Sequence, residues 1–314
     1  LPTITDANLL LGRLDAARFP AAARVRSAFA ALGTALGLDP EAAAEAVLRI
    51  ADTKMANAIR MVSLSLGADP RDFTLFAFGG AGPLHASALA RELGIPRVLV
   101  PARPGITNAL GCVVADLRHD FVRTLNRPLA GLDIAEVHAI LAAQDTEGRR
   151  RIAAHPVAPA AITASFSADM QFEGQTHLLR VPLPDPAPSL AELQRRFEAA
   201  YFDRFRIALP EIRAALVNLT CTVAGPRPPL DLHLLLDPAA RRATLDDARV
   251  ATRPVRFAAE WHATPVYRRD HLPPDATLAG PAILEQMDTT TVLLPGDRLS
   301  QDADGNLLIA CAPA

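Results

Sequence analysis

Phe73-Thr74-Leu75-Phe76-Ala77-Phe78-Gly79-Gly80-Ala81-Gly82-Pro83-Leu84-His85-Ala86 is the stretch on which the fold turns. The apolar run from Phe73 to Phe78 has the pattern of a strand buried on both faces of a sheet. Gly79, Gly80 and Gly82 then form a turn, and Pro83 to Leu93 reads as a helix with Gly94 as its stop. Arg97-Val98-Leu99-Val100 is a second short strand, ended by Pro101. Pro104-Gly105 redirects the chain, and Ile106 to Leu117 reads as another helix. Strand, glycine turn, helix, strand, helix is the βαβ order of a parallel sheet. Residues 1–128 are therefore expected to form an α/β unit.

Upstream, Pro40 and Glu41 mark a helix start, and no proline or glycine interrupts the chain before Gly67. Val47, Ala51, Met55, Ala58, Val62 and Leu66 recur at helical spacing and predict one apolar stripe. Downstream of Pro128 the pattern changes. Residues 131–154 read as a helix, and Ile162 to Phe172 and His177 to Val181 as two strands around Glu173-Gly174. Ser189 to Phe205 reads as a helix, with Ser189 as N-cap and Glu192 completing a capping box. Leu216 to Val223 alternates like a strand, residues 227–253 show no clear period, and Ala263 to Ala310 holds short strands divided by prolines and glycines. The expected second domain, 129–314, is α+β with a β-rich end.

Composition narrows the function classes. Lys plus Arg is 32 against 34 for Asp plus Glu, which lacks the basic excess of a nucleic-acid binder. Cys112, Cys221 and Cys311 are far apart and form no CxxC pair, so a reducing cytoplasm is the expected setting. No apolar run reaches the roughly 18 residues of a membrane span, and no signal peptide is visible. The opening Leu1-Pro2-Thr3-Ile4-Thr5-Asp6 reads like the interior of a longer polypeptide, and a fragment is expected.

Several clusters have the residue types of a site. Glycines between a strand and a helix let a ligand approach the backbone, and free N–H groups at the helix start attract anions. The turn at Gly79, Gly80 and Gly82 fits nucleotide contact and a bare structural turn alike; it matches neither GxxxxGK[ST] nor GxGxxG. The loop from Pro101 to Gly111 leaves the carboxyl end of the second strand, where ligands of parallel sheets gather. Arg103 there has the charge to pair with phosphate, and Thr107 and Asn108 offer hydrogen bonds, although these residues also suit a tight turn and a capped helix. Asp116, His119 and Asp120 have metal-ligand types, but also suit a helix end. His85 fits either a ligand contact or a satisfied half-buried position. Asp169 and Glu173 are paired carboxylates on one hairpin, for which a solvated edge is the simpler reading. Cys112, in apolar company, reads as a small core residue. No GxSxG elbow occurs.

Taken as a set, these motifs resemble the hydantoinase A/5-oxoprolinase family. The resemblance rests on Pro2 to Asn8 with Leu11-Gly12-Arg13-Leu14, Pro70 to Phe73, Phe78 to Ala86, Leu93 to Pro96 and Pro104-Gly105 with Ala109-Leu110-Gly111. It continues through Gly174-Gln175, Trp261, Thr264 to Tyr267, Gly280 to Glu285, Asp288 to Val292 and Pro295-Gly296-Asp297. It implies the second lobe of an actin-like, sugar-kinase-like ATPase fold, followed by a smaller α+β region. It also implies ATP and Mg as cofactors, a cyclic amide substrate opened through phosphorylation of its carbonyl, and a hydantoinase B-type partner subunit. Gly79, Gly80 and Gly82 match the family's glycine turn against the nucleotide, and Arg103, Gly105 and Asn108 lie on the adjoining loop. The catalytic residues are not implied. No DxGGT-like phosphate segment occurs, so the chain alone is expected to lack ATP hydrolysis, and a scaffold that docks a B-type subunit is the alternative expectation.

Overall fold

The computed structural model describes residues 1–20, 22–156, 159–208 and 213–313. They form two compact units, one made of Leu1–Gly111 with Asp231–Ala314 and the other of Cys112–Leu230. No helix among the described residues is long and apolar enough to cross a membrane.

The first unit opens with three helices, α1 (Ile4–Leu10), α2 (Ala22–Leu36) and α3 (Pro40–Ser65). Thr3 and Asp6 cap α1 reciprocally, and Asp39 accepts from the Ala42 N–H at the start of α3. Leu9, Leu11, Phe29, Ala44 and Leu48 form the core between them. The long uninterrupted helix expected from Pro40 is present, but its buried face runs through Ala43, Ala44, Leu48 and Ala56. The expected stripe fails at its end, because Ala58, Val62 and Leu66 lie exposed beyond the packed turns.

β1 (Thr74–Phe76), α4 (Gly82–Leu93), β2 (Arg97–Val100) and α5 (Thr107–Val114) follow. β1 and β2 pair in parallel, with Leu75 opposite Val98, as the βαβ reading requires. Gly94 ends α4 in the left-handed region at φ 68°, its N–H returning to the Ala90 and Arg91 carbonyls. α4 is buried along most of its length. Leu84 packs with Val255, Ile283 and Val292, while Ala86, Leu89, Ala90 and Leu93 pack with Val98, Val100, Leu299 and Ile309. β1 corrects the reading of a strand buried on both faces. It ends the sheet, only Leu75 packs against the core, and Phe73, Phe76 and Phe78 are 55%, 48% and 39% exposed.

The second unit contains β3 (Leu117–Pro128), α6 (Ile134–Ala153), β4 (Thr163–Phe172), β5 (Leu179–Leu183), α7 (Leu190–Phe205) and β6 (Ala214–Gly225). Its strands form an antiparallel sheet in the order β3-β6-β4-β5. Val137 and Leu141 of α6 and Leu193 and Phe197 of α7 meet Met170, Phe172, Leu216 and Leu219 of the sheet in one core. Ser189 caps α7 as expected, accepting from the Glu192 N–H at 3.1 Å.

The C-terminal segment returns to the first unit. Short α8 (Leu245–Ala248) precedes β7 (Arg249–Phe257), β8 (Glu260–Arg268), β9 (Thr277–Ala279), β10 (Ala282–Glu285), β11 (Thr290–Leu293), β12 (Arg298–Gln301) and β13 (Leu307–Ala310). One sheet runs β1-β2-β13-β12-β9, another β11-β10-β8-β7. β13 lies antiparallel to β2, with Leu307 opposite Val100 and Ile309 opposite Val98. The compact units thus differ from the consecutive segments 1–128 and 129–314 read from the sequence. β13, with β12 and then β9 beyond it, finds its other sheet partner in β2, across some 200 residues of chain.

Candidate functional site

Three loops meet at the carboxyl end of β1. Gly79 sits at φ +83°, a conformation that favours glycine, and its N–H donates to the Pro104 carbonyl at 2.7 Å. The Thr289 hydroxyl donates to the carbonyls of Gly79 (3.2 Å) and Gly80 (3.1 Å). These bonds tie residues 78–82, 101–106 and 286–289 together. A Cβ on Gly79 would meet nothing within 4 Å, so the turn faces open space. A Cβ on Gly80 would stand 3.3 Å from the Asp288 carbonyl oxygen, and one on Gly105 would collide with the Asp288 carboxylate, 1.9 Å from Oδ2. Ala81 gives α4 no side-chain cap, which leaves backbone donors at the helix start for an anion.

A polar frame holds these loops from behind. Buried Arg269 donates to Gln286 Oε1 and to the Val100 and Gly305 carbonyls, each at 3.0 Å. Burial pushes its pKa down to about 9, with Asp270 opposing. Gln286 Nε2 in turn donates to the Ala102 carbonyl at 3.0 Å. Arg103 Nη1 lies 2.6 Å from Asp270, and its Nε donates to the Leu235 carbonyl at 2.9 Å. Arg103 is thus engaged within the protein, and the phosphate pairing suggested by its charge would require those contacts to break. Thr107 donates to the Arg103 carbonyl at 3.0 Å, and Asn108 is exposed on α5.

The other candidates fall elsewhere. His85 is 5% exposed, with Nδ1 2.7 Å from Asp52 Oδ1, which is the satisfied reading. α5 ends at Val114, so Asp116, His119 and Asp120 stand at the start of β3 rather than at a helix end. Hydrogen bonds from Arg118 and Thr222 hold Asp120 below the usual carboxylate range, and Asp116 accepts the Arg227 N–H at 2.9 Å. Among the described residues, no group of three or more His, Cys, Asp or Glu is placed to hold a metal. Burial raises the pKa of Asp169, but hydrogen bonds from Arg180 and Asn218 outweigh it and leave the carboxyl below its ordinary value. Cys112 is exposed, contrary to the core reading, because α5 buries none of its residues.

Sequence reasoning assigned no site role to Gln286, Asp288 or Thr289. Their signal was a polar run directly after an apolar strand, but more than 180 residues separate it from the turn it touches.

The fold and these loops define an α/β protein whose glycine turn lies where ligands of parallel sheets gather. The chain belongs to the hydantoinase/oxoprolinase family: the family model "Hydantoinase/oxoprolinase" matches residues 1–121, and the model of the "Hydantoinase/oxoprolinase C-terminal domain" matches residues 133–308. It is 32% identical to the uncharacterized protein MJ0964 of Methanocaldococcus jannaschii, over 98% of this chain and 44% of that protein. It is 31% identical to the caprolactamase subunit alpha of Pseudomonas jessenii, over 96% of this chain and 45% of the relative. The crystal structure of ATP-dependent caprolactamase from Pseudomonas jessenii matches with a TM-score of 0.74 at 28% identity, covering 98% of this chain and 46% of that one. That shared mixed α/β fold agrees with the actin-like lobe and α+β region implied by the resemblance. The chain spans about half the length of the curated relatives it matches.

Proposed function

We propose that this chain forms one wall of the nucleotide site in a subunit of an ATP-dependent cyclic amide hydrolase. The observation that carries the reading is the turn at Gly79, whose Cβ position faces open space, with the exposed Gly80 beside it. Gly79, Gly80 and Gly82 would lie against the nucleotide, and Gly105 and Asn108 would border it. Arg103 would act by fixing the loop through Asp270 and Leu235. ATP, when bound, would supply the phosphoryl group that activates the carbonyl of a cyclic amide, so that water could add at the carbonyl carbon and the ring C–N bond could break with the nitrogen taking a proton.

A magnesium site fits less well. Mg²⁺ is commonly held by one or two carboxylates together with nucleotide phosphates. Asp288 brings one carboxylate to the loops, but it packs on Gly105, and no wider ligand set stands there among the described residues.

The opposite wall would come from polypeptide corresponding to the half of the relatives that this chain does not match. β1 supports this reading, because it pairs only with β2 among the described residues and exposes Phe76. Parallel strands are ordinarily covered on both faces. A hydantoinase B-type subunit would be the partner in ring opening. The same exposed edge, with Phe73 and Phe78 beside it, also suits the scaffold reading, in which the chain docks that partner without nucleotide.

Isothermal titration of ATP decides between the two. The 314-residue chain would be tested alone and mixed with the unmatched half of the caprolactamase alpha subunit. Binding, stronger in the mixture, is expected. No heat in either arm, together with a nucleotide-independent complex with a B-type subunit, would leave the scaffold reading standing.

A further inference from the structure

A groove of ≈ 620 Å³ lies on the sheet β1-β2-β13-β12-β9 of the first unit. That volume is within the roughly 300–1,000 Å³ of small-molecule sites. Val98, Leu278, Leu299 and Ile309 turn into the core with Leu89 and Leu93 of α4. Alternation along each strand therefore sends Arg97, Leu99, Arg298, Leu308 and Ala310 to the opposite face of the sheet. Register sets these residues in rows. Arg97 stands opposite Ala310 and Ala310 opposite Arg298, so the two arginines flank one methyl group. In the next row Leu99 stands opposite Leu308, with the exposed Phe76 on its other side.

Charge singles this groove out. Lys plus Arg is 32 against 34 for Asp plus Glu over the chain, yet the described residues lining the groove include two arginines and no Asp or Glu. Arg97 and Arg298 are exposed, and among the described residues neither guanidinium makes an ion pair or a hydrogen bond. Neighbouring strands lie about 4.8 Å apart, so the two arginines rise from the sheet about 9.6 Å from each other. Two guanidinium forks at that spacing can close on one phosphate from either side, at about 2.8 Å per contact.

We propose that this groove binds a small phosphate monoester, with the phosphate between Arg97 and Arg298 above Ala310 and an apolar group on Leu308 and Leu99. A phosphate monoester carries about −1.5 to −2 charge at pH 7, which two guanidinium groups balance, whereas a carboxylate would leave one of them uncompensated. The groove is separate from the glycine turn. Arg97 opens β2, while the turn follows the far end of β1, which runs parallel to β2, so the two lie at opposite ends of the strands. Phosphate binding here goes beyond the nucleotide reading and does not depend on it.

Calorimetric titrations of the 314-residue chain without ATP test this, with phenyl phosphate, with inorganic phosphate (no apolar group) and with benzoate (the ring with a single charge). Phenyl phosphate is expected to bind at least tenfold more tightly than benzoate and at least threefold more tightly than inorganic phosphate. Arg97→Gln and Arg298→Gln should each weaken it tenfold or more with the melting temperature kept. Ala310→Phe, which fills the floor between the arginines, should abolish binding. If one glutamine variant fails to fold, the other carries the test. No binding of phenyl phosphate, equal or tighter binding of either other probe, or binding indifferent to the arginine and Ala310 substitutions would overturn the assignment.

Discussion

At the scale of single residues, the glycine turn is held in place by contacts distant in sequence. Gly79 takes a backbone conformation that costs an L-residue roughly 1–2 kcal/mol, and Thr289 fixes the carbonyls of Gly79 and Gly80. Gly80 is the sharper probe. Its Cβ position is 3.3 Å from a backbone oxygen on one side, and the residue is exposed on the other. Gly80→Val should therefore fold, with a small local shift, and should weaken ATP at least tenfold, about 1.4 kcal/mol, by blocking the approach. Titration calorimetry paired with a melting curve reads both effects, and unchanged affinity in a folded variant would remove Gly80 from the site. The turn itself was legible in the sequence, because glycines between an apolar run and a helix admit few alternatives. The engagement of Arg103 was not. Asp270 lies 167 residues away, and local sequence cannot show which charge a side chain will meet.

Elements were read well where the pattern is local. α4 with its Gly94 stop, α7 with its Ser189 cap and the β4–β5 pair all follow from spacing and capping chemistry. β1 and the end of α3 were misread because an apolar run records the capacity for burial and does not name the partner. Packing in the second unit sets a stringent demand at Gly148 of α6, where a Cβ would lie 2.4 Å from Val223 Cγ2 of β6. Gly148→Val should destabilise the protein by about 1–3 kcal/mol through overpacking, seen as a lower urea midpoint with an unchanged slope. On the same sheet, Asp169 has a depressed folded-state pKa. Its contribution is present above the unfolded value of about 3.9 and is lost as pH falls through the lower folded value. Asp169→Asn should consequently cost stability at about pH 6 and progressively less as pH drops below about 4. Urea midpoints across that range would show it, and a pH-independent cost would mean that the carboxylate charge is not what matters.

For the whole molecule, the lesson is one of topology. The first unit is built from both ends of the chain, because β13 must pair with β2 and because α4 needs apolar surface from two sheets. Neither demand appears in a reading that moves forward along the sequence. The meeting of residues 78–82, 101–106 and 286–289 is a consequence of that closure, and so is the candidate site. Hydrogen–deuterium exchange of the chain with and without a non-hydrolysable ATP analogue tests this most directly. The account predicts protection by nucleotide concentrated in those three loops. Protection confined to other segments, with the three loops exchanging at unchanged rates under saturating analogue, would contradict it.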